Sequence, residues 1–256
     1  MTFLDSTILG IIEGFTEFLP ISSTAHLILA SKLLGLETSE FLKSFEISIQ
    51  LGAIASVVFL YWRTLVSKWD LNKKIIAAFI PTAIVGLFFY RLVKNIFLEN
   101  YLISVYSLLT GGVLLILFEL FHKERNDKDG ELSDITYTKA LAIGVFQSIS
   151  IVPGVSRAAA TILGGMLLGI SRKTIVEFSF LLAIPTMAAA TGLDLLKSAD
   201  YFSRSDFISL ATGFVISFIV ATLSIKFLLK FIQNHNFTYF GVYRIIVAIV
   251  FLTILN

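Results

Sequence analysis

Apolar runs of bilayer length, set apart by short charged or polar connections, leave this chain few ways to fold. They lie at about Phe45–Trp62, Ile75–Tyr90, Leu102–Phe121, Glu177–Leu196, Phe207–Phe231 and Tyr239–Leu255, and roughly 20 apolar residues are what a helix needs to cross about 30 Å of hydrocarbon. None alternates in the manner of a membrane β-strand, so backbone polar groups must be satisfied within helices. Charged residues make up only 15% of the 256 and mean hydropathy is +0.87, whereas soluble domains carry about 25% charged residues. Soluble classes are excluded. Lys and Arg number 20 against 18 Asp and Glu, a net charge of +2 that gives no reason to expect a nucleic-acid partner. The absence of cysteine removes disulfides, thiolate nucleophiles and Cys-held zinc, so any metal must be held by oxygen or imidazole. The opening M-T-F-L-D lacks a basic n-region and is expected to belong to the mature fold.

Two segments break the pattern. Leu4–Leu19 is interrupted by Asp5, Glu13 and Glu17 and ends at Pro20, and Thr24–Leu34 is too short to cross, so together they read as a re-entrant hairpin. Lys139–Val152, the turn P-G-V-S-R and Ala158–Ile170 repeat that order. A shift of 134 places lays Gly10 on Gly144, Glu13 on Gln147, Ser22 on Ser156 and Gly35 on Gly169, and a shift of 131 lays Glu46 on Glu177 and Ser48 on Ser179. Three full spans per half is an odd number, so the second half must enter the membrane from the opposite face. The expected fold is therefore an all-α integral membrane domain, a polytopic helix bundle of two inverted-topology repeats. These occupy about 1–121 and 139–256, each with a re-entrant hairpin and three spans, and the hydrophilic loop 122–138 joins them. Basic residues crowd the connections 62–74, 122–139, 171–176 and 226–236, whereas Lys43, Arg91, Lys94, Lys197 and Arg204 are spread over the opposite loops. By the positive-inside rule the crowded face is cytoplasmic and both termini lie outside.

Ionisable groups at membrane depth are costly and mark functional sites by default. Glu13 and Glu17 stand one helical turn apart, so both can address one ligand: a divalent cation bridging to phosphate, or a pair in which one carboxylate is a base. Ser22, Ser23 and Thr24 precede an apolar run, where one hydroxyl serves as an N-cap and three exceed that need. His26, a turn beyond Ser23, can hold or move a proton on a neighbouring oxygen. In the second turn Gly154 permits a bend, Ser156 offers a hydroxyl and Arg157 a fork for phosphate oxygens, with a helix N-terminus behind it. The alternative for Arg157 is neutralisation of Glu13 or Glu17. Thr161 adds a hydroxyl a turn on, and Gln147 is a neutral donor and acceptor. Arg244, inside the last span, reads as a structural partner rather than a reacting group.

E-G-F-T-E-F-L-P-I-S-S-T-A-H over 13–26 and P-G-V-S-R-A-A-A-T over 153–161 closely resemble the two signature motifs of bacterial undecaprenyl-diphosphatases, the bacitracin-resistance family, and F-E-I-S-I-Q-L-G and E-F-S-F-L-L-A-I-P extend the likeness along the chain. The resemblance implies hydrolysis of undecaprenyl diphosphate at the outer face of the cytoplasmic membrane, with a divalent cation, Mg2+ or Ca2+, as cofactor. It casts Glu13 and Glu17 as the acidic pair, Ser23 as nucleophile, His26 as its acid or base partner, and Ser156, Arg157 and Thr161 as diphosphate ligands. Ala158 and Ala159 depart from the Ser-Gly that often follows the arginine, which leaves one hydroxyl fewer. The proton carrier stays open between His26 and Glu17, and the nucleophile between Ser23 and water. The partners expected are the lipid diphosphate and membrane lipid, with a homodimer left open. The rival reading is a transporter or flippase of a lipid phosphate or small anion.

Overall fold

The computed structural model describes residues 1–37, 39–92, 100–122, 130–198 and 206–254. Its helices are α1 Phe3–Thr16, α2 Ser23–Leu33, α3 Glu40–Ser67, α4 Trp69–Leu92, α5 Tyr101–Phe121, α6 Tyr137–Ser148, α7 Arg157–Leu167, α8 Arg172–Ser198, α9 Asp206–Phe231 and α10 Thr238–Ile254, and the described residues form no strand. Single 3-10 turns at Leu132–Asp134 and Ile149–Ile151 flank α6. Helices α3, α4, α5, α8 and α9 are each long and apolar enough to cross a membrane. This is a multi-pass, all-helical membrane protein. The sixth expected span corresponds to α10, whose 17 described residues reach the short end of the spanning range, roughly 17–25 residues; Leu255 lies outside the described residues.

The helices outrun their apolar windows. No proline or glycine stands between Trp62 and Lys74, so the connection expected over 62–74 contracts to Lys68, between the 28 residues of α3 and the start of α4. The Asn72 amide then caps the carbonyl of Leu65 at 2.6 Å. In the same way α8 begins at Arg172 and α9 runs to Phe231, which shortens the turn expected over 171–176 and the loop over 226–236. Charged residues extend these helices because their long stems reach the interface while the backbone stays helical. Residues 123–129 of the hydrophilic connection, with Lys123, Arg125 and Lys128, lie outside the described residues, as do Lys94 and Arg204.

Four helices are too short to cross: α1 has 14 residues, α2 11, α6 12 and α7 11, about 17–21 Å at a rise of 1.5 Å per residue. Each pair folds back on itself, α1 on α2 and α6 on α7. The remaining contacts come in matched sets. Helix α1 lies on α9 as α6 lies on α4, α3 lies on α9 as α8 lies on α4, and α3 meets α8 as α5 meets α10. Lipid supplies no apolar drive for such pairing, so close backbone approach at small residues carries it together with interhelical hydrogen bonds, Ser224 Oγ of α9 to the Phe15 carbonyl of α1 at 2.8 Å and Thr82 Oγ1 of α4 to the Gly144 carbonyl of α6 at 3.0 Å. A Cβ on Gly10 would stand 2.9 Å from the carbonyl oxygen of Gly213 in α9, and one on Gly144 would stand 2.0 Å from that of Ala78 in α4. These two contacts seat the short helices, and with them the turns at their tips.

Candidate active site

Both tips reverse through a strained serine. Helix α1 ends at Thr16 and Pro20 follows, whose ring cannot continue the helix; after α6 the chain passes through Pro153 and Gly154. The reversal is completed at Ser22 (φ 70°) and Ser156 (φ 78°), the described non-glycine residues with positive φ. A backbone of this kind costs about 1–3 kcal/mol and persists where its surroundings impose it. Each serine is the last residue before a helix. Ser156 Oγ accepts from the Ala159 N–H at 3.2 Å and caps α7, whereas Ser22 makes no side-chain cap on α2.

The tips meet across 140 residues of sequence. Arg157 Nη2 donates to Glu17 Oε1 at 3.1 Å, and Ser23 Oγ donates to the other oxygen, Oε2. The far side of the guanidinium is anchored too, with Nη1 donating to the carbonyl oxygen of Ser179 at 2.7 Å and to its hydroxyl at 3.2 Å. Both charged side chains are nearly sealed, 6% exposed for Glu17 and 10% for Arg157, and the arginine cation sits 5.8 Å from the Phe18 ring. Burial at this level makes each charge depend on the other: removing one partner of such a pair costs about 3–5 kcal/mol. Arg157 Nε is buried and has no protein partner.

A cavity of about 660 Å³ opens over this group. Ser22, Ser23, Thr24 and Glu17 from the first tip and Gly154, Ser156 and Arg157 from the second line it, and Leu87, Leu193, Lys43 and Asp194 stand at the ends of the long helices that wall it. Two helix N-termini therefore converge on one space, each adding partial positive charge to that of Arg157.

Four of the predicted site residues stand behind the lining. Gln147 is fully buried; its Nε2 donates to Thr82 Oγ1 at 2.9 Å and Thr186 Oγ1 at 3.1 Å, while Thr161 Oγ1 donates to its Oε1 at 3.4 Å and to the Arg157 carbonyl at 2.8 Å. These bonds set the root of Arg157. His26 turns away from Ser23: its Nδ1 lies 2.7 Å from the Ser22 carbonyl oxygen, its Nε2 lies 3.0 Å from the Tyr243 hydroxyl, and the two rings stack at 5.6 Å. It braces the strained turn and is not in contact with the Ser23 hydroxyl. Glu13 is fully buried one turn before Glu17, its carboxyl group within hydrogen-bonding and electrostatic reach of the Glu17 carboxyl, and no other donor reaches either of its oxygens. Two buried carboxyl groups this close are stable together only with a shared proton or beside a cation. The orphaned oxygens of Glu13 thus fit a cation shared with Glu17, although no group of three His, Cys, Asp or Glu side chains gathers among the described residues.

Sequence reasoning missed Ser179, Thr82 and Thr186. The threonines carry a signal, since I-P-T occurs at 80–82 in α4 and again at 184–186 in α8. The role of Ser179 falls largely on its carbonyl, which no side-chain pattern reports.

The model of the family described as bacitracin resistance protein BacA matches residues 6–250 of this chain. A Sulfurihydrogenibium protein named undecaprenyl-diphosphatase is 53% identical over 251 residues, 98% of each chain. Proteins of the same name from Persephonella marina and Aquifex aeolicus are 51% and 49% identical, again over 98% of both chains.

Proposed function

Since this chain belongs to the bacitracin resistance protein BacA family, we propose that its cavity hydrolyses undecaprenyl diphosphate to undecaprenyl phosphate and inorganic phosphate, returning the carrier lipid to cell-wall synthesis and conferring bacitracin resistance. The observation that carries this reading is the contact chain Ser23–Glu17–Arg157 at the foot of a cavity where two helix N-termini meet. A diphosphate needs fixed positive charge and donors, and positioning with charge stabilisation dominates phosphoryl transfer.

Arg157, held from behind by Ser179 and lining the cavity, binds the terminal phosphate together with the N–H groups that open α2 and α7. Ser23 Oγ attacks the terminal phosphorus. Its proton passes to Glu17 Oε2, which already accepts it in a hydrogen bond. The phosphoanhydride bond breaks and Glu17 passes the proton to the departing undecaprenyl phosphate; water then attacks the phosphoserine, giving a proton to Glu17, which returns it to Ser23 Oγ as inorganic phosphate leaves. His26 supports the Ser22 turn and takes no proton from Ser23. Glu13 and Glu17 would hold a divalent cation, Mg2+ or Ca2+, whose charge, when bound, offsets that of the diphosphate. The apolar walls of the cavity, Ile47, Phe79, Leu87, Met187 and Leu193 among them, receive the start of the prenyl chain.

The matched contact sets support two repeats of inverted topology, with α1–α2 and α6–α7 as re-entrant hairpins. With the crowded basic face in the cytoplasm, Lys43, Leu87 and Asp194 lie toward the outer side of the cytoplasmic membrane, so the cavity opens outward. The same matched sets would suit a carrier working by alternating access. Pure protein in detergent, given a prenyl diphosphate and no membrane gradient, separates the two: a hydrolase releases inorganic phosphate, and absence of release rejects the proposal.

A further inference from the structure

Arg244, in the middle of α10, is 0% exposed and is among the largest fully buried side chains of the described residues. A charged side chain at membrane depth is expensive, and this one spends its donors on main-chain carbonyls. Nη1 donates to Pro20 O at 3.2 Å and to Val155 O at 3.0 Å, Nη2 to Gly154 O at 2.7 Å and to Ser107 O at 3.0 Å, and Nε to Leu108 O at 3.3 Å. Pro20 follows Glu17 by three residues and Gly154 precedes Arg157 by three. One planar fork therefore holds both tips, and α5 supplies its backing. Room for it is made on α5 as well, because a Cβ on Gly111 would lie 2.1 Å from Arg244 Nη2.

We propose that Arg244 is a positioning residue for the hydrolysis: by bonding the carbonyls of both tips at once it fixes their separation, and with it the register of Glu17 and Ser23 against Arg157. This rests on the cavity being the diphosphate site. The guanidinium suits the task because five N–H groups in a rigid plane can serve carbonyls on three sides, whereas a lysine ammonium has three donors at one point. The strained Ser156 directly follows Val155 and the strained Ser22 stands two residues after Pro20, so the clamp also holds the tips in a conformation they would otherwise relax from.

The test uses Arg244→Lys and, from the other side of the contact, Gly111→Ala, which crowds the guanidinium without altering α10. In both, kcat for phosphate release falls about a hundredfold, the scale of a 1 Å misplacement, while KM stays within about threefold because no substrate contact is lost. The chain has no cysteine, so Phe15→Cys and Ile149→Cys, exposed sites near the two tips, accept a unique pair of spin labels. The distance distribution between them is narrow in the wild-type background and broadens or shifts with either variant. Unchanged kcat, or an unchanged distribution in a folded variant, overturns the inference. Should Arg244→Lys fail to fold, Gly111→Ala carries both readouts. A wild-type protein that releases no phosphate sinks the hydrolase reading instead, and the label distances still decide whether the clamp exists.

Discussion

Ser23 reaches Glu17, Glu17 reaches Arg157 and Arg157 reaches Ser179, so the chemistry turns on single atoms whose removal has separable consequences. Ser23→Ala is expected to lower kcat for phosphate release by about a thousandfold or more, as loss of a nucleophile does; turnover within tenfold of wild type would hand the attack to water. Arg157→Lys keeps the charge but loses the fork, which bonds Glu17 on one side and Ser179 on the other. Its kcat/KM should fall about a hundredfold with a lower melting temperature, checked by steady-state kinetics and thermal unfolding in the same detergent. Glu13→Gln removes a buried carboxyl that faces the Glu17 carboxyl, so the variant should unfold at the same temperature or higher, yet lose the response to chelator that the proposed cation site predicts for the wild type. Persistent chelator sensitivity would free Glu13 from cation binding. These residue types were legible from the sequence because ionisable groups stand out in an apolar run. The facing of His26 was not: its place one turn after Ser23 allowed a bond to that hydroxyl, and packing against α10 sends the ring to Tyr243 instead.

The short helices depend on close backbone contact, α1 with α9 and α6 with α4. Gly144→Ala would force a Cβ to within 2.0 Å of the Ala78 carbonyl oxygen, which only a shift of α6 can relieve. A loss of about 1–3 kcal/mol of stability follows from overpacking, with reduced activity because α6 carries Gln147 and leads into the Arg157 tip. Gly192→Ala in α8 is the control: nothing lies within 4 Å of the added carbon, and alanine is the better helix former, so the melting temperature should hold or rise. Equal behaviour of the two in thermal unfolding would remove close approach as the reason for glycine at 144. The helices themselves were legible as apolar runs. Their ends were not, since residues such as Arg63 and Lys74 break the hydropathy pattern without breaking the backbone, and α3 and α4 pass through them to leave Lys68 as the junction.

At the scale of the whole molecule the matched contacts predict which ends share a side of the membrane. In the cysteine-free chain, Leu33→Cys and Leu196→Cys should react with an impermeant maleimide applied to intact cells, and Trp69→Cys and Leu167→Cys should react only after lysis; all four positions are exposed on the protein surface. Labelling of Leu167→Cys from outside would reject the inverted arrangement. By itself the sequence determined the solvent, the helical class, the two polar tips and the family, because hydrophobic length, composition and short motifs are local properties that survive in a string of letters. The tertiary structure alone decided that Glu17 meets Arg157 across 140 residues, that Arg244 holds Pro20 across 224, and that His26 belongs to the brace rather than the pocket. Those contacts follow from how α1, α6 and α10 seat against helices distant in the chain, and side-chain periodicity carries no information about that.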